Sequence, residues 1–343
     1  MYKILYHNTI PVPKHTNTDA VYNEMKTLSR TLHGEIINVY PAKVRRPWLI
    51  KELMGIADIQ KLKSLDKLVD VHHVFFPFFY EFPYFRLLDK PIVFSSTTSK
   101  KSQIAGSSKK NITYLSSNSS VIDNLAKNGI ENAHHVISGI EVDKWSAEKA
   151  LPNNERFSLL MASAPHTRVQ FESKGILLLL DYLTEQHDLN LTLLWRGVET
   201  QYMRRLIAQY NLENRVNLVD RRVDVQRYLN ESHATILLCD EPGVIKNYPH
   251  SLIESICCGR PVIMSQLSEL SDTVKNNQLG VVLEQSRKHK LHESMLELRM
   301  NYSTYQQNCM TLDKSLFDYK SYIEMLKKIY QSSMCTGTKK KLG

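Results

Sequence analysis

The carboxylate in the most demanding setting of this sequence is Glu254, within KNYPHSLIESICCGRPVIMS at residues 246–265. Leu252 and Ile253 precede it and Ile256 follows, so it is unlike an ordinary solvated side chain. A carboxylate withdrawn from water needs a partner, because leaving it without one is costly. Two partners suit a helix beginning near Ser251: the free amides of the first turn, or a pair of ligand hydroxyls. Three basic positions add to the candidate chemistry. Lys174 opens a helix just before Gly175, where its ammonium and the unpaired first-turn amides can meet one anion. Arg196 and Gly197 end LTLLWRG, an arginine at a strand end beside a glycine that admits a ligand to the backbone; a rim salt bridge is the equal alternative. Arg168, in the loop PHTRVQFES, is a further phosphate candidate.

Positioning such groups requires a scaffold, and strand and helix signals alternate along the whole chain. KILYH, GEIINVY, VDVHHVFF, PIVFSS and the run at 111–116 read as strands of a first half, with helices between most of them. A helix is expected up to Thr31 with Val21, Met25, Leu28 and Leu32 on one face, and a lysine-rich one at 49–68. After a polar linker at 146–157 the alternation resumes with FSLLMASA, LNLTLLW, VNLVD, ATILLCD, PVIMS and GVVLE. Short links between such strands argue for parallel pairing, since a parallel crossover usually spends its residues on a helix. The predicted class is therefore α/β, with two Rossmann-like parallel-sheet domains facing a cleft. Expected boundaries are 1–145, 146–310, a C-terminal helix at 311–332 packing back across the domains, and a basic tail at 333–343. Ligands are expected beyond the carboxyl ends of the strands. In the second half those segments hold Lys174, Arg196, Asp220, Arg222 and the run from 240 to 251.

Composition narrows the function classes. The 343 residues are 42% hydrophobic with no apolar run approaching the roughly 18 residues of a membrane span. The N-terminus lacks the pattern of a signal peptide. Five cysteines without metal-ligand spacing read as buried thiols of a cytoplasmic protein, and no metal constellation is visible. The formal charge of +9 suits an anionic partner. No nucleic-acid recognition motif accompanies that charge, so nucleic acid is not expected as a partner. In KVRRPWLIK at 43–51, Trp48 and two aliphatics sit among Lys43, Arg45, Arg46 and Lys51, a mixture that suits reversible contact with an anionic membrane.

Residues 246–264 resemble the signature of retaining GT-B glycosyltransferases of family four (group 1), bacterial mannosyl-, glucosyl- and N-acetylglucosaminyltransferases. That family usually shows Glu-Gly-Phe-Pro, a few hydrophobic residues, Glu-Ala, then Cys-Gly-x-Pro-Val. This chain has Lys246-Asn247-Tyr248-Pro249, then His250, Ser251, Leu252 and Ile253, then Glu254-Ser255, then Cys258-Gly259-Arg260-Pro261-Val262. GIEVDKW at 139–145 resembles the segment between the family's domains, SKG at 173–175 its Lys-Gly helix start, and LLWRG its next strand and glycine. ENRVNLVD is similar to the strand entering the base pocket, and SELSDTVKNNQLGVVL to the usual ending.

The resemblance implies a glycosyltransferase that uses a nucleotide-diphosphate sugar, with UDP or GDP the expected carrier, and a glycan or lipid-linked glycan acceptor. Glu254 would accept from the ribose hydroxyls, and Lys174 would hold the diphosphate with Arg168 or Arg196 as companion. The backbone from Asn247 through Tyr248, Pro249 and His250 to Ser251, with the amides it carries, would face donor sugar and phosphates, Gly197 would lie beside them, and Asp220 to Arg222 would border the base. Asn17 and Thr18 stand for the usual glycine pair after strand one, Thr97 for a strand-end histidine, and His72 and His73 would line the acceptor side; packing under aromatics is the alternative for the histidines. Lys246 replaces the first glutamate of the motif, eight residues before Glu254. It would then support the departing diphosphate, or mark a sugar-nucleotide-binding protein that kept the fold without catalysis.

Overall fold

The structure, a computed structural model, describes residues 2–10, 20–41, 50–98, 111–147, 151, 156–165, 167–195, 199–241 and 243–339. It contains two six-stranded sheets, every named strand pair of which is parallel. The first holds β1 (Ile4–Asn8), β2 (Glu35–Asn38), β3 (Val71–Phe76), β4 (Ile92–Ser96), β5 (Ile112–Ser116) and β6 (Ala133–His135), in the order β2-β1-β3-β4-β5-β6. The second holds β7 (Phe157–Met161), β8 (Leu189–Leu194), β9 (Val216–Val219), β10 (Ala234–Leu237), β11 (Val262–Ser265) and β12 (Gly280–Leu283), in the order β12-β11-β10-β7-β8-β9. Central strands are buried along their length, as β1, β4, β5, β10 and β11 show, because helices cover both faces of a parallel sheet. This double cover explains the near-continuous aliphatic runs that made the strands readable.

The chain forms two compact units, Met1–Ile137 with Lys320–Gly343, and Ser138–Tyr319. The second contains the stretch where outgoing and returning chain run side by side. Ile140 N–H donates to Phe317 O and Tyr319 N–H to Ile140 O, both at 2.8 Å. A Cβ on Gly139 would sit 2.7 Å from the Tyr319 nitrogen, so glycine is what lets the two passes touch. The final helix, Tyr319–Lys339, then builds into the first unit. Tyr322 Oη donates to Glu24 Oε1 at 2.6 Å, and Ser333 Oγ lies 2.8 Å from Thr113 Oγ1. Tyr322, Ile323, Leu326 and Ile329 of this helix are buried. Among the described residues no helix is long and apolar enough to cross a membrane.

Two helix expectations change. The lysine-rich stretch is not one helix but two, Ile50–Leu53 and Ile59–Asp66, separated at Gly55. The helix after Lys174 starts later, at Ile176, with Gly175 as a left-handed cap at φ 64°. A side chain on Gly175 would meet Leu238 Cβ at 2.5 Å, so this glycine both makes the turn and lets it lie against the end of β10.

Candidate functional site

The strand order of the second sheet picks out one place. From β7 the chain moves to β8 on one side, and from β10 to β11 on the other, so the segments after β7 and β10 part at the β7–β10 junction. Such a switch point is where open α/β sheets hold ligands. The segment after β7 carries Ser163, Ala164 and, after a short helix Gln170–Ser173, Lys174. The segment after β10 carries residues 238–249 and enters the helix His250–Cys257. The two are tied together by Asp240 N–H donating to Ser173 O at 3.0 Å.

Lys174 is only 4% exposed, and its ammonium donates to Ser163 Oγ at 3.1 Å and Ala164 O at 3.2 Å. These two acceptors fix the Lys174 ammonium beside the switch point. The sequence reading singled out this lysine but not Ser163 and Ala164 as the groups that aim it.

Glu254 lies differently from the expectation. The helix is capped by Pro249, whose carbonyl accepts from Leu252 and Ile253, so His250 is its first residue and Glu254 its fifth. No acidic residue occupies the first turn, which removes the amide-capping alternative for Glu254. Its side chain is half-buried, and burial pushes its carboxyl from 4.5 up to about 7. Among the described residues its carboxylate takes part in no hydrogen bond or ion pair. The capping role is thus not seen, and the half-buried carboxylate is open to a partner from outside the described residues.

The rest of the motif is well ordered. Asn247 is buried and its Oδ1 accepts from Glu269 N–H at 3.1 Å, which pins the loop to the segment after β11. Tyr248 is buried, which raises its phenol to about 12. Ser251 is half-buried on the first helical turn. Lys246 Nζ lies 3.2 Å from His250 Nε2 and 3.4 Å from Ser138 Oγ. Burial, and then the Lys246 charge, hold the His250 imidazole well below its usual pKa. Ser138 went unnoticed in the sequence; its place just before the glycine at 139 was the available signal.

Away from the switch point, Arg168 is exposed, pairs through Nε with Glu199 Oε2 at 3.0 Å, and stacks over Tyr202 at 4.8 Å. Asp220, just after β9, accepts from Thr200 Oγ1 at 2.8 Å, and Arg222 is exposed. Arg196, Gly197, Asn17, Thr18 and the 43–49 part of the basic stretch lie outside the described residues.

In the first unit, Thr97 follows β4 at the carboxyl edge, its N–H donating to Phe76 O at 2.9 Å. His72 and His73 do not line an acceptor side. Both are fully buried, in the amino half of β3 and away from the strand end where ligands gather. His72 bridges His7 Nε2 at 2.9 Å and Asp66 Oδ1 at 2.8 Å, and His7 continues to Tyr84 Oη at 3.0 Å. His73 lies between Tyr330 Oη at 2.6 Å and Ser95 Oγ at 2.8 Å. These rings are spent on the core. Among the described residues no group of three His, Cys, Asp or Glu side chains is placed to hold a metal ion.

Comparison with known proteins adds identity to this geometry. The family model described as glycosyl transferases group 1 matches residues 141–309, which include Lys174, Lys246, His250 and Glu254. No curated protein matches the chain in sequence. Solved structures match its fold over nearly their full length. The sucrose-phosphate synthase of Thermosynechococcus elongatus has a TM-score of 0.72 at 13% identity, covering 98% of this chain and 100% of that one. A glycosyltransferase of Rickettsia africae has a TM-score of 0.67 at 14% identity, covering 97% and 98%. Anabaena HepE, solved in complex with UDP and glucose, has a TM-score of 0.69 at 13% identity, covering 97% and 100%.

Proposed function

Because residues 141–309 make this chain a group 1 glycosyltransferase of the GT-B fold, we propose that it moves a hexose-type sugar from a nucleotide-diphosphate sugar to a glycan or lipid-linked glycan acceptor. The observation that carries the donor half of this reading is Glu254, a half-buried carboxylate that bonds to no described residue, on the helix that leads away from the switch point. The vicinal hydroxyls of a ribose supply the two donors it lacks. Lys174, buried across the same junction, faces the diphosphate. The amides of His250 and Ser251 at the start of the helix add two further donors for an anionic oxygen.

The chemistry follows from charge. As the glycosidic bond breaks, positive charge grows on the sugar and negative charge on the leaving diphosphate. Lys174 and the helix start stabilise the second of these directly, and they do so more strongly as the charge develops. Retention of anomeric configuration then needs no enzymatic nucleophile: the acceptor hydroxyl attacks from the face the diphosphate leaves, and the departing phosphate oxygen is placed to take its proton. Anabaena HepE was solved with UDP, which supports uridine as the first base to try. Asp220 and Arg222 are the side chains we assign to the border of that base.

We place the protein in the cytoplasm, with an acceptor presented at an anionic membrane face; the motive is the mixture of basic and apolar residues at 43–51. A second reading, a sugar-nucleotide-binding protein without transfer, is favoured by Lys246 standing where the family has glutamate. One product screen separates the two: incubation with UDP-, GDP- and ADP-sugars and mixed acceptors, followed by detection of released nucleoside diphosphate. Release that depends on an acceptor supports transfer. Tight binding with no release in any combination supports the second reading.

A further inference from the structure

Lys246, His250 and Ser138 form a closed polar triangle at the entry to the helix His250–Cys257, with separations of 3.2, 3.4 and 3.5 Å. The directions of its hydrogen bonds are constrained by chemistry. An ammonium has three donors and no acceptor. At 3.2 Å from Lys246 Nζ, His250 Nε2 must therefore offer a lone pair, and the ring's one proton sits on Nδ1. His250 Nδ1 makes no hydrogen bond with any described residue. The ring is half-buried at the first helical position, next to the amides of residues 250 and 251, whose intrahelical acceptors are missing.

We infer that Lys246 is a positioning residue: it locks His250 as the neutral Nδ1–H tautomer, so that His250 presents an N–H to an anionic oxygen of the donor. This rests on the nucleotide-sugar reading above and specifies how the replaced motif position takes part in it. A glutamate at 246 would accept from the ring and favour the opposite tautomer, turning a lone pair outward. The substitution thus reverses the polarity His250 shows to a ligand. Glu254 stands one turn further along the helix, and the charge that acts on the ring is that of Lys246 from the preceding loop.

The test has an arm that needs no ligand. Long-range nitrogen–proton NMR of the full chain, with His250 assigned by its loss in His250→Gln, reads tautomer and titration together. The expected result is a neutral Nδ1–H ring from pH 5 to 8 in the wild type, with titration in the usual histidine range appearing in Lys246→Met and suppressed again in Lys246→Arg. An Nε2–H ring, or ordinary titration in the wild type, overturns the inference. The second arm is calorimetric titration with UDP-glucose. Lys246→Met and His250→Gln should each weaken binding about tenfold, and the double variant should be no weaker than the worse single one. Losses that multiply in the double variant mean that Lys246 touches the ligand itself, which also overturns it. If the wild type shows the expected tautomer but binds none of the UDP-, GDP- or ADP-sugars, the donor reading fails while the locked ring stands.

Discussion

Each unit contains a carboxylate drawn well into the protein, and the two are treated in opposite ways. Asp66 in the first unit accepts from His72 Nε2 at 2.8 Å and from the N–H groups of Asp89 and Lys90 at 3.1–3.2 Å. Burial pushes its carboxyl upward, but the bonds from His72 and the two amides outweigh that and leave it below the usual range. Glu254 in the second unit has only burial acting on it, and its carboxyl rises to about 7. A buried polar group that is fully bonded holds a fold together, whereas one that bonds to no described residue calls for another explanation, which the proposal supplies as a ligand. The difference separates architecture from site more sharply than residue type does, since both are acids beside aliphatic core.

The largest effect that would break this contrast is on stability. Asp66→Ala strands His72 and two backbone N–H groups in the core and should cost at least about 3 kcal/mol. Glu254→Gln should not lower the same thermal or urea midpoint at neutral pH, and should raise it if anything, because the amide cannot take on the charge that burial disfavours. Equal losses in the two variants would mean that Glu254 is structural after all.

Next in size is the cation of the segment after β7. Lys174→Ala should weaken binding of UDP-glucose by about 2 kcal/mol while leaving binding of uridine nearly unchanged, as expected for a charged hydrogen bond to phosphate. Titration with both ligands checks this. A common loss would show that the alanine disturbs the junction held by Ser163 and Ala164 rather than removing a phosphate contact.

The smallest effect lies in pH dependence, and its sign differs between the two acids. The folded-state pKa of Glu254 is raised from 4.5 to about 7, so its contribution to ligand-free stability is fully present below about 4.5 and lost as pH rises through about 7. Asp66 is depressed, so its contribution is present above the usual carboxyl pKa and lost as pH falls through the lower folded value. Denaturation midpoints between pH 4 and 8 should therefore decline toward pH 8 more in the wild type than in Glu254→Gln. Parallel curves would remove the burial argument for Glu254.

The strands were legible because both faces of each sheet are covered and the sequence had to be aliphatic throughout. That same double cover hid the histidines. In VDVHHVFF, alternation cannot tell an inward from an outward side chain when both directions are core, and the partners that fix His72 lie in other elements, at His7, Asp66 and Tyr84. Glu254 was legible as a carboxylate in the wrong company, but its turn was not. Ser251 has the side chain of a helix cap, yet Pro249, with an extended ψ of 117°, takes that place and shifts the helix forward. Arg168 was read from the length of its loop, and nothing local announced Glu199 and Tyr202 as its neighbours.

The central proposal is that Glu254, whose carboxylate bonds to no described residue, receives the hydroxyls of a nucleotide sugar. Calorimetric titration of wild type and Glu254→Gln with UDP-glucose, each matched by a thermal melt, tests it most directly. UDP-glucose is the better probe than UDP, whose terminal phosphate titrates near neutral pH. The account predicts binding by the wild type, a loss of about 1.5–3 kcal/mol in the variant, and a melting temperature in the variant no lower than that of the wild type. Equal affinities in the two proteins would contradict it.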